Sequence, residues 1–88
     1  MPAVAMMAGM PELKLFGRPD CHLCEVAAAL LDEVLPGVPF EAVDIEIELS
    51  LIMRYGQRVP VLLRTDTQAE LGWPFDAVAL EEFLSTRE

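Results

Sequence analysis

Cys21 and Cys24 are the only cysteines in this 88-residue chain, and they stand three positions apart in RPDCHLCE with His22 and Leu23 between them. Two thiols at that spacing serve three chemistries: a disulfide staple, part of a soft-metal site, or a pair that exchanges electrons with another disulfide. A bridge over two intervening residues restrains little chain entropy, and small domains that depend on staples carry several spaced pairs. In a reducing compartment a C-x-x-C is more often catalytic or metal-binding than structural. The metal reading has two forms, a Cu(I) or Zn(II) carrier on two thiolates and a dimer sharing an iron–sulfur cluster through Cys21. Carriers usually place a Met two residues before the first cysteine, where this chain has Pro19. The acidic stretch DIEIE (44–48) reads as a solvated face, with no second His to build a metal cluster.

Exchange needs a thiolate, and the flanking elements can supply one. ELKLFG (12–17) is a short buried strand ended by Gly17 and Pro19, and a helix follows, with Leu23, Val26, Ala27, Leu30, Leu31 and Val34 at helical spacing up to the stop at Pro36-Gly37. Cys21 then sits at the helix mouth and Cys24 in the first turn. Unpaired N–H groups at a helix start favour negative charge, so the Cys21 thiol is expected below the free value of about 8.5 and above the extreme of about 3.5. Arg18 and a protonated His22 assist, Asp20 opposes, and Cys24 is expected to be the more buried, resolving thiol. His22 tunes charge and faces solvent.

The remaining elements frame the pair. Val38–Ile45 reads as a second strand, parallel to the first through a right-handed crossover. Ile47–Tyr55 reads as a helix that Gly56 caps, despite a period-two alternation from Val43 to Leu51. PVLLR (60–64), the turn TDTQ and AELG (69–72) form an antiparallel hairpin. Asp76 caps a last helix with Leu80, Phe83 and Leu84 inward and Glu81 and Glu82 outward. Trp73 and Phe75 are packing residues, and Tyr55 has no identifiable partner. Residues 1–11 form an extension before a single domain over 12–88, and Met10 offers an alternative start.

Six basic residues against fifteen acidic give a net charge of −9, with 53% hydrophobic residues. That balance fits a folded domain and repels phosphate backbones and anionic membranes. The apolar run near the amino terminus has no preceding Lys or Arg and is shorter than a membrane span, so a cytoplasmic monomer is expected, without nucleic-acid or membrane partners.

CHLC after a first strand, RVPVLL opening a later strand, and GWPFD before the last helix together resemble the glutaredoxin-like branch of the thioredoxin superfamily over residues 12–88. The resemblance implies an α/β thioredoxin-like fold: a four-stranded mixed sheet flanked by about three helices in βαβαββα order. It also implies a thiol–disulfide oxidoreductase without cofactor or metal, acting on a protein or low-molecular-weight disulfide and recharged by a dithiol reductant. Cys21 would be the nucleophile. Val59-Pro60 would be a cis bond facing the cysteines, with the Val59 backbone pairing to substrate as an added strand does. Arg18 matches the family's assisting basic residue, Asp76 the acidic residue near the glutathione amino group, and Arg58 is the candidate carboxylate partner. The departures are His22-Leu23 in place of a Pro-Tyr dipeptide and Trp73-Pro74 after a single Gly72. With Trp73 filling the groove, weak glutathione-dependent turnover is expected.

Overall fold

The computed structural model of the chain describes residues 12–85. The expected extension and the alternative start at Met10 lie outside the described residues. Strand β1 (Leu13–Gly17) runs through the middle of the sheet with both faces buried, as a central strand requires. Leu13 and Leu15 join Ala27, Leu31, Leu62, Phe75 and Leu80 in one core, while Phe16 joins Ile45, Tyr55 and Val61 in a second. Strand β2 (Phe40–Asp44) lies parallel to β1, pairing Leu13 with Phe40 and Gly17 with Asp44. On the other side β3 (Val61–Arg64) is antiparallel to β1, and β4 (Glu70–Gly72) is antiparallel to β3, giving the order β2-β1-β3-β4. Helices α1 (His22–Val34) and α3 (Ala77–Ser85) supply Ala27, Leu31 and Leu80 to the first core, and α2 (Leu49–Tyr55) supplies Tyr55 to the second. The chain is therefore an α/β fold in the expected βαβαββα order, with a parallel first pair.

Several boundaries and faces differ from the sequence expectation. The core-facing line of α1 runs through Leu31 and Ala27 to Cys24, so Leu23 and Val26, expected on the apolar stripe, are 46% and 38% exposed. Strand β2 starts at Phe40 rather than Val38 because the Val38 amide donates to the Leu35 carbonyl at 3.0 Å and Pro39 has no amide to donate. Asp44 then takes the Glu46 amide at 2.9 Å and winds Ile45–Ile47 into a 3-10 turn, so α2 begins at Leu49, two residues later than expected. Gly56 ends α2 with right-handed backbone (φ −53°), so its small size matters here rather than a left-handed cap: a Cβ would press on the Ile52 carbonyl. Asp76 caps α3 as expected, accepting the Ala79 amide at 2.9 Å.

The hairpin turn hides a charge the sequence did not flag. Arg64 is 6% exposed, forks onto Asp66 at 3.0 and 2.7 Å, and donates to the Phe83 and Leu84 carbonyls at 2.7 and 3.1 Å. It fastens β3 to the last turn of α3, where unpaired carbonyls favour a cation. The paired guanidinium holds the Asp66 carboxyl below, and the carboxylate holds Arg64 above, their ordinary values.

Candidate functional site

Both cysteines follow directly from the end of β1. After Gly17 the chain passes Arg18 and Pro19, and Asp20 turns it with left-handed backbone (φ 59°), a conformation Asp tolerates better than most side chains. Cys21 is thereby delivered in extended conformation as the N-cap of α1. Its Sγ accepts the Cys24 amide at 3.2 Å, taking the place of a capping oxygen and bringing a free helix-start N–H onto the sulfur. A charge on that sulfur is favoured by the hydrogen bond and by the positive end of the helix. The two sulfurs are joined as a disulfide, with Cα atoms 5.2 Å apart.

Cys21 and Cys24 are both half-buried. They differ in what they touch: Cys24 packs so closely on β1 that a Cβ on Gly17 would lie 2.9 Å from its Sγ and 3.1 Å from its Cβ. Gly17 therefore makes room for the second cysteine, a role that needs the strand and helix in place before it can be seen. A cleft of about 360 Å³ opens beside the pair, and Leu15, Arg18, Glu25, Ala42, Asp44 and both cysteines are among the residues that line it. His22 is exposed, as expected.

The start of β3 lies on the other side of β1 from β2. Val61 pairs with Phe16, so the Val59-Pro60 step lies at the same end of the sheet as the Cys pair. That bond is cis, as the resemblance implied, and Trp73-Pro74 is cis as well. Pro60 is fully buried, and its carbonyl accepts the Trp73 amide at 3.1 Å. Trp73 packs edge-on against Phe75 with ring centres 5.0 Å apart, and leans on the first core. The Val59 amide donates to the Tyr55 carbonyl at 3.1 Å and the Arg58 amide to the same oxygen at 2.8 Å. Asp76 spends one carboxylate oxygen on its helix cap.

Tyr55, for which the sequence offered no partner, is the hub of a cluster under the Val59-Pro60 step. Its ring stacks on Phe16 at 4.4 Å, and its hydroxyl donates to Glu70 at 2.7 Å. Glu70 also receives Arg54 at 3.0 Å and Arg58 at 2.9 Å, and both guanidiniums lie against the Tyr55 ring, 5.3 and 5.5 Å from its centre. Burial pushes the Glu70 carboxyl up, but the Tyr55 and Arg58 hydrogen bonds and the two positive charges outweigh it and hold the group below the usual carboxylate range. Burial, then the bond to Glu70 and its charge, push the Tyr55 hydroxyl up. Arg58 is therefore held by Glu70 on β4. Arg18 reaches the same carboxyl end of α2, with a guanidinium nitrogen 3.2 Å from where a Gly56 Cβ would sit.

Among the described residues no group of three or more His, Cys, Asp or Glu is placed to hold a metal ion. No helix among them is long and apolar enough to cross a membrane.

Known structures share this fold. The X-ray structure of XcR50 from X. campestris is similar at 39% identity with a TM-score of 0.78, over 86% of this chain and 99% of that one. Its solution structure gives 41% identity and a TM-score of 0.75, over 86% of this chain and 95% of that one. The solution structure of Ne2328 from Nitrosomonas europaea is similar at 29% identity with a TM-score of 0.75, over 85% of this chain and 92% of that one. No curated protein matches the chain. Residues 12–85, from the strand that leads into the Cys pair to the helix that closes the first core, match the glutaredoxin-like domain (DUF836) family, and the chain belongs to it.

Proposed function

We propose that the chain is a thiol–disulfide oxidoreductase working through Cys21 and Cys24. The observation that carries this reading is the Cys21 sulfur, which caps α1, accepts the Cys24 amide and is bridged to Cys24. In the reduced protein the Cys21 thiolate attacks one sulfur of a substrate disulfide. That S–S bond breaks, a mixed disulfide forms on Cys21, and one substrate half leaves as a thiolate that takes up a proton. Cys24 gives up its proton to solvent and attacks the Cys21 sulfur, closing the internal bridge and releasing the second substrate thiol. Two electrons pass from the pair to the substrate, and a dithiol reductant returns them.

Arg18 is the nearest cation in sequence and supports the Cys21 thiolate by its charge, while Asp20 moderates it. The Val59 amide is already bonded to Tyr55, so a substrate adding along the start of β3 has the Val59 carbonyl as its backbone partner. Exposed Leu23 and Val26 beside the helix mouth offer apolar contact to a protein substrate. The work is expected in a reducing cytoplasm, by a monomer.

Turnover of 2-hydroxyethyl disulfide with a dithiol reductant tests the proposal. The wild-type protein is expected to accelerate the reduction and Cys21→Ser to abolish it. A wild-type rate equal to the uncatalysed rate, or full activity in Cys21→Ser, would remove the reading.

A further inference from the structure

The chain has six basic residues against fifteen acidic ones, yet three of the six, Arg18, Arg54 and Arg58, gather around the carboxyl end of α2, where Arg18 comes from the loop that leads into the Cys pair and Arg58 from the loop that leads into Val59-Pro60. In a protein of net charge −9 this is where an anionic small molecule would find attraction. Two of the three are occupied. Glu70 reaches across from β4, its side chain only 17% exposed, and spends one oxygen on Arg58 and the other on Arg54 and Tyr55. The Arg58 side chain is itself 48% exposed and directly precedes the Val59-Pro60 step, which lies at the same end of the sheet as the Cys pair. Glu70 is fixed by three partners, so it competes for the Arg58 guanidinium without paying to order itself for each substrate.

We propose that Glu70 is a specificity-determining residue: by holding Arg58 and Arg54 it denies those guanidiniums to anionic low-molecular-weight thiols and disulfides at the dithiol site. The inference rests on the exchange activity proposed above and adds to it a substrate class that the site disfavours. Glu70 itself touches no substrate. It acts through Arg58, and the Tyr55 hydroxyl can still donate to an amide oxygen when the charge is removed, so Glu70→Gln changes the competition while keeping that anchor.

The test compares two disulfides. Oxidised glutathione carries a net charge of about −2 from four carboxylates and two ammonium groups, and 2-hydroxyethyl disulfide is neutral. The readout is the ratio of kcat/KM for the first over the second, in wild type, Glu70→Gln, Glu70→Gln with Arg58→Ala, and Glu81→Gln. The last makes the same change of net charge on the exposed side of α3. A released, partly exposed guanidinium is worth about a two- to fivefold rise in the ratio for Glu70→Gln, shrinking as salt is raised. The rise is expected to vanish when Arg58→Ala is added and to be absent in Glu81→Gln. An unchanged ratio in Glu70→Gln, a rise that survives Arg58→Ala, or an equal rise in Glu81→Gln overturns the proposal.

A binding measurement separates it from the exchange activity. S-methylglutathione cannot exchange, and its affinity for the oxidised protein, read by NMR titration, is expected to be about two- to fivefold tighter for Glu70→Gln than for wild type. Equal binding, or none detectable by either protein, overturns the role of Glu70 whatever the turnover shows. Failure to turn over either disulfide counts against the exchange activity alone.

Discussion

At the scale of single residues, the site depends on one side chain that is absent as much as on those present. Gly17 lies against Cys24 with no space for a methyl group, since its Cβ would sit 2.9 Å from the sulfur. Gly17→Ala must displace Cys24 or shift the start of α1, and overpacking of this kind costs about 1–3 kcal/mol. Thermal melting is expected to show the loss, and the rate of internal disulfide closure is expected to fall with it. An Ala variant that melts and closes like wild type would show that the contact has slack. Asp20 is the other position where backbone geometry sets chemistry. Its left-handed turn carries the chain from β1 into the helix mouth, and its carboxylate adjoins Cys21 in sequence. Asp20→Asn keeps a side chain that accepts this backbone and removes the charge, so the Cys21 thiol is expected to titrate lower than in wild type. Thiolate absorbance followed against pH reads the shift, and a higher or unchanged value would contradict the electrostatic assignment.

At the scale of elements, what the sequence disclosed and what it withheld follow from how local each determinant is. The strand, helix, strand start was legible because apolar spacing and the stops at Gly17 and Pro36-Gly37 are local signals, and the N-cap position of Cys21 followed from them. The face of α1 was misjudged by one position: the apolar count favoured Leu23, but the packing line passes through Cys24 onto Gly17. The start of α2 was missed because the Asp44 side chain captures a backbone amide and inserts a 3-10 turn. Tyr55 and Glu70 lie 15 residues apart on different elements, so no periodicity could pair them. The same holds for Arg64, which reads in sequence as a strand-end charge and in the fold anchors α3 through two carbonyls. Arg64→Met keeps an apolar stem and loses those bonds. Charge-assisted bonds of this kind contribute about 1.5–3 kcal/mol, so the melting temperature is expected to fall by roughly 4–8 °C for each kcal/mol lost. Amide exchange should quicken most in the last turn of α3, and an unaltered melting temperature would show that Asp66 and the carbonyls are satisfied without the guanidinium.

At the scale of the whole molecule, charge governs how the site meets its surroundings and how the fold responds to acid. A net charge of −9 repels itself at neutral pH, and lowering the pH relieves that strain in any variant. Against this background Glu70 acts in the opposite direction. Its folded-state value is depressed, so the stability it contributes is present above the ordinary carboxylate range and is lost as pH falls through the folded value. The difference in melting temperature between wild type and Glu70→Gln is therefore expected to be largest near neutrality and to narrow as pH falls below the ordinary carboxylate range; a gap that is constant with pH would mean that the carboxylate charge contributes nothing. The central claim concerns the cysteine pair, and intact-protein mass after exposure to a disulfide tests it most directly. Reduced Cys24→Ser, mixed with excess 2-hydroxyethyl disulfide, is expected to gain one 2-mercaptoethanol adduct on Cys21 that persists until a thiol is added. Cys21→Ser is expected to remain unmodified over the same time, because its remaining thiol is packed against Gly17. Adduct on Cys21→Ser and none on Cys24→Ser would contradict the assignment of nucleophile and resolving thiol, and adduct on neither would contradict the exchange activity itself.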